Sequence, residues 1–232
     1  MIQRGRQLVF DLPHRQALGR EDFLVTSSNA GAVALIDAWP SWPSNAALLT
    51  GPAGSGKSHL AQVWRQRSNA LIANASALTI EDAPAMLATG ALAIEDATTS
   101  MNERALFHLL NLAKQQANSV LITARTPPEA WKIGIVDLLS RLRALPLLEI
   151  LPPDDDLLGG VLVKLFLDRQ IAVEESIIKF MLSRMPRSLA AARVLVAEID
   201  RRALEEHAEV TRLLVGKILV EFSAPELSAD WE

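Results

Sequence analysis

Eight consecutive residues early in the chain have the types and spacing of a phosphate-binding loop. The pattern G-x-x-x-x-G-K-[ST] is met by Gly51, Pro52, Ala53, Gly54, Ser55, Gly56, Lys57 and Ser58. Glycines let backbone N–H groups turn toward a phosphate, the lysine reaches the β- and γ-phosphate oxygens, and the serine hydroxyl can ligate Mg²⁺. An apolar run precedes the loop and a helical pattern follows it, so a helix N-terminus faces the phosphates. We therefore predict that the chain binds ADP or ATP together with Mg²⁺.

Two acids follow a second apolar run. Glu95 and Asp96 come directly after residues 91–94, and we expect them at the carboxyl edge of a sheet beside the phosphates. Together with Ser58 they are the predicted Mg²⁺ ligands. The alternative is a solvated acidic turn. Their order is also the reverse of the usual one, in which aspartate comes first, and this weakens a role for either acid as a catalytic base.

Two further apolar or helical segments end in polar residues that could contact phosphates. Thr123 ends the apolar run that begins at residue 119, a position where a sensor of the γ-phosphate would be expected. A threonine that caps a turn is as good an interpretation. Arg125 is equally ambiguous. Arg141 ends the helical segment before the last strand. An arginine there could act in trans on a neighbour's nucleotide, where such a group is worth about 10³ to 10⁵ in rate. A simple C-terminal cap is the alternative for Arg141, and Arg143 is close by.

A second group of arginines belongs to the C-terminal part of the chain. Arg187 opens a helical segment there and could reach back over the nucleotide cleft. Arg184 and Arg193 compete with it for that role. Taken by themselves, all three are ordinary solvated arginines.

The order of apolar and helical segments predicts an α/β fold. Apolar runs alternate with helical patterns between residues 46 and 150, which specifies a parallel sheet with helices on both faces. We expect strands at 46–50, 70–74, 91–94, 119–123 and 146–150, and helices near 28–39, 57–67, 79–87, 101–116 and 134–143. Capping-box spacing at Thr79/Asp82 and Ser100/Glu103 supports two of the helix starts. After residues 152–156 the pattern is helical throughout, with segments near 157–169, 174–183, 189–206 and 210–221.

These segments predict three parts: an N-terminal arm over residues 1–22, a nucleotide-binding domain over 23–152 and a helical lid domain over 153–232.

The composition excludes several kinds of site and partner. The 232 residues include no cysteine and four scattered histidines, which excludes disulfides, thiolate chemistry and histidine-based zinc spacing. A net charge of −4 argues against a broad nucleic-acid-binding surface. No apolar stretch approaches the roughly 18 residues of a membrane span, so we expect a cytoplasmic protein with no membrane partner.

These motifs together resemble those of the AAA+ ATPases, over about residues 20–222. Residues 56–60, Gly-Lys-Ser-His-Leu, point to one family among these ATPases, because they are similar to the Gly-Lys-Thr-His-Leu of the DnaA family. The resemblance adds His59 to the nucleotide site and makes Arg187 the counterpart of the sensor 2 arginine. Residues 137–142 are similar to the family's arginine-finger box, which would make Arg141 the finger.

The N-terminal arm resembles a sliding-clamp-binding peptide found in DnaA-related regulators that inactivate DnaA. Gln7 would fix one end by hydrogen bonding, while Leu8, Phe10 and Leu12 would enter an apolar groove. An arm that packs on its own domain is the alternative. The resemblance implies two partners, the sliding clamp (the beta subunit of DNA polymerase III) and DnaA. It implies negative regulation of DNA replication initiation: the nucleotide-bound chain docks on the clamp and Arg141 completes the ATPase site of DnaA, while the chain's own ATPase is weak or dispensable.

The DNA-binding helix-turn-helix domain of DnaA would begin where this chain ends, so we expect no direct sequence-specific DNA binding. Whether the chain forms a homodimer is left open. Two other classes also remain open: a DNA-loading AAA+ ATPase similar to DnaA or DnaC, which would need a basic single-strand track, and a self-contained P-loop kinase, which would turn over ATP without partners.

Overall fold

The computed structural model describes Arg20 and residues 23–222, which divide into two compact units between Pro152 and Pro153. The first is an α/β unit and the second is helical. Within this part of the chain, no helix combines the length and the apolar character needed to cross a membrane.

Five parallel strands form the sheet of the α/β unit, in the order β2-β3-β4-β1-β5. The strands are β1 (Ala46–Thr50), β2 (Leu71–Asn74), β3 (Ala91–Ala97), β4 (Ser119–Ala124) and β5 (Leu147–Glu149). The predicted parallel sheet with flanking helices is therefore confirmed. The loop-bearing strand β1 lies between β4 and β5, and β4 separates it from β3.

Helices cover both faces of this sheet. They are α1 (Ala30–Ala38), α2 (Lys57–Ser68), α3 (Ala83–Met86), α4 (Glu103–Gln115) and α5 (Val136–Arg143), with short 3₁₀ turns at Ala75–Ala77 and Pro128–Trp131. Successive side chains of a strand point to opposite faces. Leu48 of β1 accordingly belongs to the core beneath α4 and α5, whereas Leu49 belongs to the core beneath α1 and α2. Both are completely buried, as expected for a central parallel strand.

The core on the α2 side pairs small strand residues with one large aromatic. Ala47, Ala91 and Ala93 belong to the same core cluster as Trp64 of α2, which is fully buried. The Trp64 ring stacks on Trp42 with ring centroids 5.3 Å apart and meets Trp39 edge-on at 6.1 Å. This packing fixes α2, and therefore the phosphate-binding loop at its N-terminus, against the sheet.

Two predicted helix starts differ from the observed ones. α3 begins at Ala83 instead of Thr79, although Thr79 Oγ1 accepts the Asp82 N–H at 3.1 Å, the capping contact that the sequence predicts. Pro84 has no N–H to donate four residues back, so a regular helix cannot include the preceding turn. The Ser100 cap of α4 was also a wrong prediction, because Asn102 Oδ1 accepts the Ala105 N–H at 3.1 Å and the helix begins at Glu103.

The helical unit consists of α6 (Asp155–Leu167), α7 (Glu175–Leu182), α8 (Leu189–Glu206) and α9 (Arg212–Phe222). Side-chain caps start two of these helices: Asp154 Oδ1 accepts the Leu157 N–H at 2.7 Å, and Ser188 Oγ accepts the Ala191 N–H at 3.4 Å. Aliphatic and aromatic side chains from all four helices form the core, which includes Leu162, Phe166, Met181, Leu195, Val196, Ile199, Val215 and Ile218.

Candidate nucleotide-binding site

The phosphate-binding loop leaves β1 through a position that only glycine can occupy. A Cβ on Gly51 would lie 2.4 Å from the carbonyl oxygen of Ile150, and Gly51 has a φ of +150°. At the other end of the loop, Gly56 has a φ of +103° and is the N-cap of α2. Side chains are strained in such backbone conformations. The two glycines thus turn the chain from the central strand into a helix whose N-terminus faces the edge of the sheet.

Lys57 is folded back onto this loop. Its Nζ donates hydrogen bonds to the carbonyl oxygens of Gly51 and Pro52, each at 2.8 Å, and the residue is only 7% exposed. Burial lowers the pKa of the Lys57 ammonium; the carboxylates of Asp96 and Glu95 oppose that shift, and the guanidinium of Arg125 adds to it. The lysine therefore interacts electrostatically with two residues predicted to line the site, Glu95 and Asp96, and with Arg125, whose role was left open.

Two serines of the loop differ in exposure. Ser55 is 1% exposed, and its Oγ has no hydrogen-bond partner among the described residues. A buried hydroxyl without a partner costs free energy, and this one lies beside Gly51, since it is 3.1 Å from the position a Cβ would take there. Ser58, in the first turn of α2, is exposed. The loop thus combines two glycines whose backbone conformations disfavour side chains with a buried hydroxyl that has no hydrogen-bond partner among the described residues. Both features fit a phosphate ligand.

The carboxyl ends of three strands are level with one another. Thr50, the last residue of β1, pairs with Ala124 of β4, and Ala124 pairs with Ala97 of β3. The phosphate-binding loop, the residues after β4 and the acids of β3 therefore all lie at one edge of the sheet. In doubly wound sheets, this edge is where ligands bind.

Glu95 and Asp96 form an irregularity in β3 at this edge. The register between β3 and β4 shifts by one residue between Ile94 and Ala97, and Asp96 has a φ of +56°. A β-bulge of this kind redirects a side chain. The Asp96 side chain is exposed, whereas Glu95 Oε1 is buried without a hydrogen-bond partner among the described residues. Both acids were expected after a strand ending at residue 94, but the strand continues through them to Ala97.

Thr123 holds the bulge in place. It is 1% exposed, and its Oγ1 accepts the Asp96 N–H at 3.3 Å. The hydroxyl hydrogen is still available to a second acceptor. Thr123 thus ties the acid-bearing strand to the strand next to the loop, a connection between β3 and β4 that the sequence does not reveal.

The carboxylate and hydroxyl oxygens at this edge are of the kind that Mg²⁺ prefers. Mg²⁺ is usually held by one or two carboxylates together with phosphate oxygens, and Glu95, Asp96 and Ser58 would supply the protein oxygens here. In the described part of the chain, no cluster of three or more histidine, cysteine, aspartate or glutamate side chains could hold a metal ion. The donor set fits an ion that arrives with phosphates.

His59 makes an aromatic contact within the α/β unit. Its ring meets Phe23 edge-on, with centroids 5.0 Å apart, and Phe23 is buried. The contact joins the start of α2 to the segment that precedes α1. Its predicted role with nucleotide remains a prediction.

The arginines near the end of α5 differ in their partners. The Arg141 guanidinium lies over the Phe107 ring of α4, 5.0 Å from its centroid, and has no ion pair among the described residues. Arg143 instead pairs with Glu129, with Nε and Oε1 3.1 Å apart. Arg125, just after β4, is exposed.

The remaining predicted arginines belong to the helical unit. Arg187 Nη2 pairs with Asp155 Oδ1 at 2.9 Å, Arg184 lies over the Phe180 ring at 4.2 Å, and burial lowers the pKa of Arg193. The contact between Arg187 and a nucleotide stays a prediction. The predicted clamp-binding residues Gln7, Leu8, Phe10 and Leu12 lie outside the described residues.

Comparison with solved structures identifies the fold. Domain III of the replication initiation protein DnaA from Thermotoga maritima superimposes with a TM-score of 0.74 at 18% identity, over 92% of this chain and 100% of that domain. The chain has the AAA+ fold of DnaA domain III. DnaA bound to AMPPCP and single-stranded DNA gives a TM-score of 0.65 at 16% identity, over 77% of this chain and 63% of that one.

The same fold occurs in a second kind of protein. RuvB, the Holliday junction branch migration motor of Thermotoga maritima, gives a TM-score of 0.67 at 20% identity, over 84% of this chain and 68% of its own. No family model matches the sequence, and no curated protein matches it. Since these identities are low, the likeness establishes the fold, and function has to be argued from the site.

The contact between Thr123 and Asp96 generates a first prediction. Thr123→Val keeps the shape of the side chain but leaves the Asp96 N–H without its acceptor, so the free energy of unfolding should fall by about 1 to 3 kcal/mol. Thr123→Ser keeps the hydroxyl and should lose less. Urea unfolding followed by tryptophan fluorescence measures this in the α/β unit, which contains Trp39, Trp42, Trp64 and Trp131. Equal midpoints for the parent and Thr123→Val would contradict the role given to this hydrogen bond.

Proposed function

We propose that the chain is a nucleotide-binding regulator of replication initiation of the Hda type, the DnaA-related proteins that inactivate DnaA. In this proposal it binds ADP or ATP with Mg²⁺, docks on the sliding clamp and stimulates hydrolysis of the ATP held by DnaA. The observation that carries the proposal is the combination of a complete phosphate-binding loop with Arg141, an arginine on a separate helix that has no carboxylate partner among the described residues.

Nucleotide binding follows from the chemistry of the loop. The first N–H groups of α2 and its helix dipole attract a phosphate. Lys57 can exchange its two carbonyl acceptors, Gly51 and Pro52, for phosphate oxygens, which are stronger acceptors of an ammonium. Ser55 Oγ, which has no partner among the described residues, would gain one. The negative charge of a bound phosphate would also offset the free-energy cost of burying the Lys57 ammonium.

The acids support binding more than fast hydrolysis by the chain itself. A catalytic base must reach the water that attacks the γ-phosphate, yet Asp96 stands in a bulge whose N–H is tied to Thr123, and Glu95 has one carboxylate oxygen buried. Mg²⁺, when bound with nucleotide, supplies charge neutralisation of the phosphates. We propose that the chain's own ATPase activity is weak and that the bound nucleotide serves to hold the protein in its active form.

The role of Arg141 comes from the similarity of residues 137–142 to an arginine-finger box. In the proposal, the Arg141 guanidinium contacts the γ-phosphate of the ATP bound to DnaA and stabilises the charge that develops during hydrolysis. The clamp brings the two proteins together through the arm residues Gln7, Leu8, Phe10 and Leu12.

A DNA-loading AAA+ ATPase is the second candidate. The observation in its favour is that a fold neighbour, DnaA, is bound to AMPPCP and single-stranded DNA. The net charge of −4 argues against it, because a strand of phosphates needs a basic track. Filter binding with labelled single-stranded DNA, with and without nucleotide, distinguishes the two: tight, salt-dependent retention supports the loader, and no retention supports the regulator.

The phosphate-binding loop predicts the effect of Lys57→Ala. Bound ADP stabilises the folded state by about 2.7 kcal/mol at a hundredfold excess over Kd, and this stabilisation should vanish in the variant because the ammonium that meets the phosphates is gone. Thermal melting with and without ADP and Mg²⁺ measures it. Lys114→Ala, an exposed lysine on α4, is the control and should keep the full shift. A full ADP shift in Lys57→Ala would refute the assignment.

Arg141→Ala should bind ADP and clamp like the parent but fail to accelerate hydrolysis by DnaA, with a loss on the order of 10³-fold or more if the finger supplies the usual gain. Arg141→Lys should recover little, because a flexible point charge does not reproduce the planar fork. Labelled ATP bound to DnaA is mixed with DNA-loaded clamp and each variant, and its conversion to ADP is followed.

Arg143→Ala is the matched control, since Arg143 lies in the same turn but pairs with Glu129. It should stimulate hydrolysis as the parent does. If Arg141→Ala is fully active, the finger assignment fails, and Arg143 and Arg125 become the arginines to test.

The arm predicts a separate loss. Replacing Gln7, Leu8 and Phe10 together by alanine should abolish binding to purified clamp, because the groove loses both the amide that fixes one end and the two apolar anchors. The melting temperature should stay at the parental value if these residues serve the clamp and not the fold. Gln3→Ala is the control. Clamp affinity equal to that of the parent in the triple variant would show that the peptide has been misread.

A further inference from the structure

One face of α4 contacts α5 at two places. Glu103 and Phe107 are four residues apart and therefore lie on the same side of the helix. Glu103 contacts the start of α5 and Phe107 contacts its last turn, where Arg141 is located. Both contacts were missed by sequence reasoning, which assigned Glu103 to a capping box and gave Phe107 no role.

The Glu103 carboxylate binds the backbone directly before α5. It accepts the Gly134 N–H, at 3.1 Å to Oε1 and 3.0 Å to Oε2, and its Oε2 accepts the Ile135 N–H at 3.0 Å. Ile135 is the N-cap position of α5, and its side chain offers no hydrogen bond. The N–H of this N-cap residue thus has an acceptor, and a negative charge near a helix N-terminus is favourable. Glu103 therefore fixes where α5 begins relative to α4.

The Phe107 ring holds the other end of the helix. It is partly buried and packs on the main core beneath α4 and α5, so the ring itself has little freedom. The Arg141 guanidinium lies 5.0 Å from the ring centroid, within the roughly 6 Å range of a cation–π contact. This contact restrains the guanidinium to a position over the face of the ring.

A ring and a carboxylate hold a guanidinium in different ways. An aromatic ring attracts the cation as a whole through its π face, whereas a carboxylate accepts hydrogen bonds from individual N–H donors. Arg143 illustrates the second case, since its Nε donates to Glu129 Oε1. Arg141 is held over a ring instead, and among the described residues no acceptor occupies its donors, which leaves them for phosphate oxygens.

We infer that Phe107 and Glu103 are positioning residues that hold Arg141 ready for the nucleotide of a partner subunit or protein. The inference rests on the proposed function for the identity of that nucleotide. Its structural half, that the Phe107 ring determines the location of the Arg141 guanidinium, can be tested without any partner.

The experiment compares Phe107→Leu, Phe107→Tyr and Glu103→Ala in the full chain. Hydrolysis of ATP bound to DnaA is measured on DNA-loaded clamp as a function of variant concentration, giving a maximal rate and a half-saturating concentration. Loss of a cation–π contact should lower the maximal rate of Phe107→Leu by about 2- to 30-fold with the half-saturating concentration unchanged. Phe107→Tyr keeps the ring and should stay near the parent, and Glu103→Ala should lower the maximal rate as well.

The matched control is Phe180→Leu, which removes a half-buried phenylalanine with arginines over its ring, Arg184 and Arg212, in the helical unit. It should leave the maximal rate at the parental value. Thermal melting of each variant with ADP identifies any that fail to fold.

A second readout needs no partner. In arginine-labelled protein, the Arg141 side-chain protons, assigned from their disappearance in Arg141→Lys, should be shifted upfield by the ring current of Phe107. The shift should be lost in Phe107→Leu and kept in Phe107→Tyr. An unshifted Arg141 in the parent overturns the inference.

The outcomes separate the two claims. If the parent stimulates hydrolysis and Phe107→Leu equals it, the positioning role is wrong and the proposed function stands. If Phe107→Leu and Phe180→Leu lose rate equally, the effect is structural and the inference is also overturned. If the parent fails to stimulate hydrolysis, the proposed function is wrong, and so is the phosphate target proposed for Arg141. The proton shift then decides alone whether Phe107 holds Arg141.

Discussion

Parallel pairing of β1 with both β4 and β5 determines where the site residues of the α/β unit lie. The pairing with β4 aligns Thr50 with Ala124, so the residues that follow the two strands leave the sheet at the same level. The pairing with β5 continues beyond the strand, because the Ile150 N–H donates to the Thr50 carbonyl at 2.8 Å. This brings the Ile150 carbonyl against Gly51 and leaves no space for a side chain there. The shape of the phosphate-binding loop is therefore a consequence of strand register as much as of its own glycines.

The same edge concentrates opposing charges around one buried ammonium. Desolvation destabilises the charged form of Lys57, and the guanidinium of Arg125 adds to that effect, while two carbonyl groups and the acids of β3 counteract it. A buried charge that is only partly compensated gains more from an anionic ligand than a fully paired surface lysine does. The packing of α2 through Trp64 matters here because it keeps the lysine at this edge. Because Trp64 and Lys57 belong to the same helix, the packing of the core also determines where the lysine can meet a ligand.

Sequence reasoning was most accurate where the signal is local. The strand at 46–50 and the helix at 189–206 were predicted to the residue, and the loop between β1 and α2 was recognised from its own pattern. It was least accurate where a distant residue decides the local structure. The bulge at Asp96 depends on a hydroxyl 27 residues away, and the carboxylate of Glu103 bonds backbone groups 31 and 32 residues away. Such contacts leave no periodic pattern in the sequence, because they form only when the sheet has brought the segments together.

The two arginines of α5 show why the candidate site could be predicted only in part. Arg141 and Arg143 are two positions apart, so they lie on different sides of the helix, and residue type alone cannot tell which one is free to act on a partner. Their environments distinguish them: Glu129 takes a donor of Arg143, whereas Arg141 meets the face of a ring supplied by α4. The elements that contribute these partners, α4 and the 3₁₀ turn Pro128–Trp131, therefore determine which guanidinium keeps its donors. The similarity of residues 137–142 to an arginine-finger box can be recognised in one helix, but whether the guanidinium of Arg141 keeps its donors depends on the elements packed around that helix.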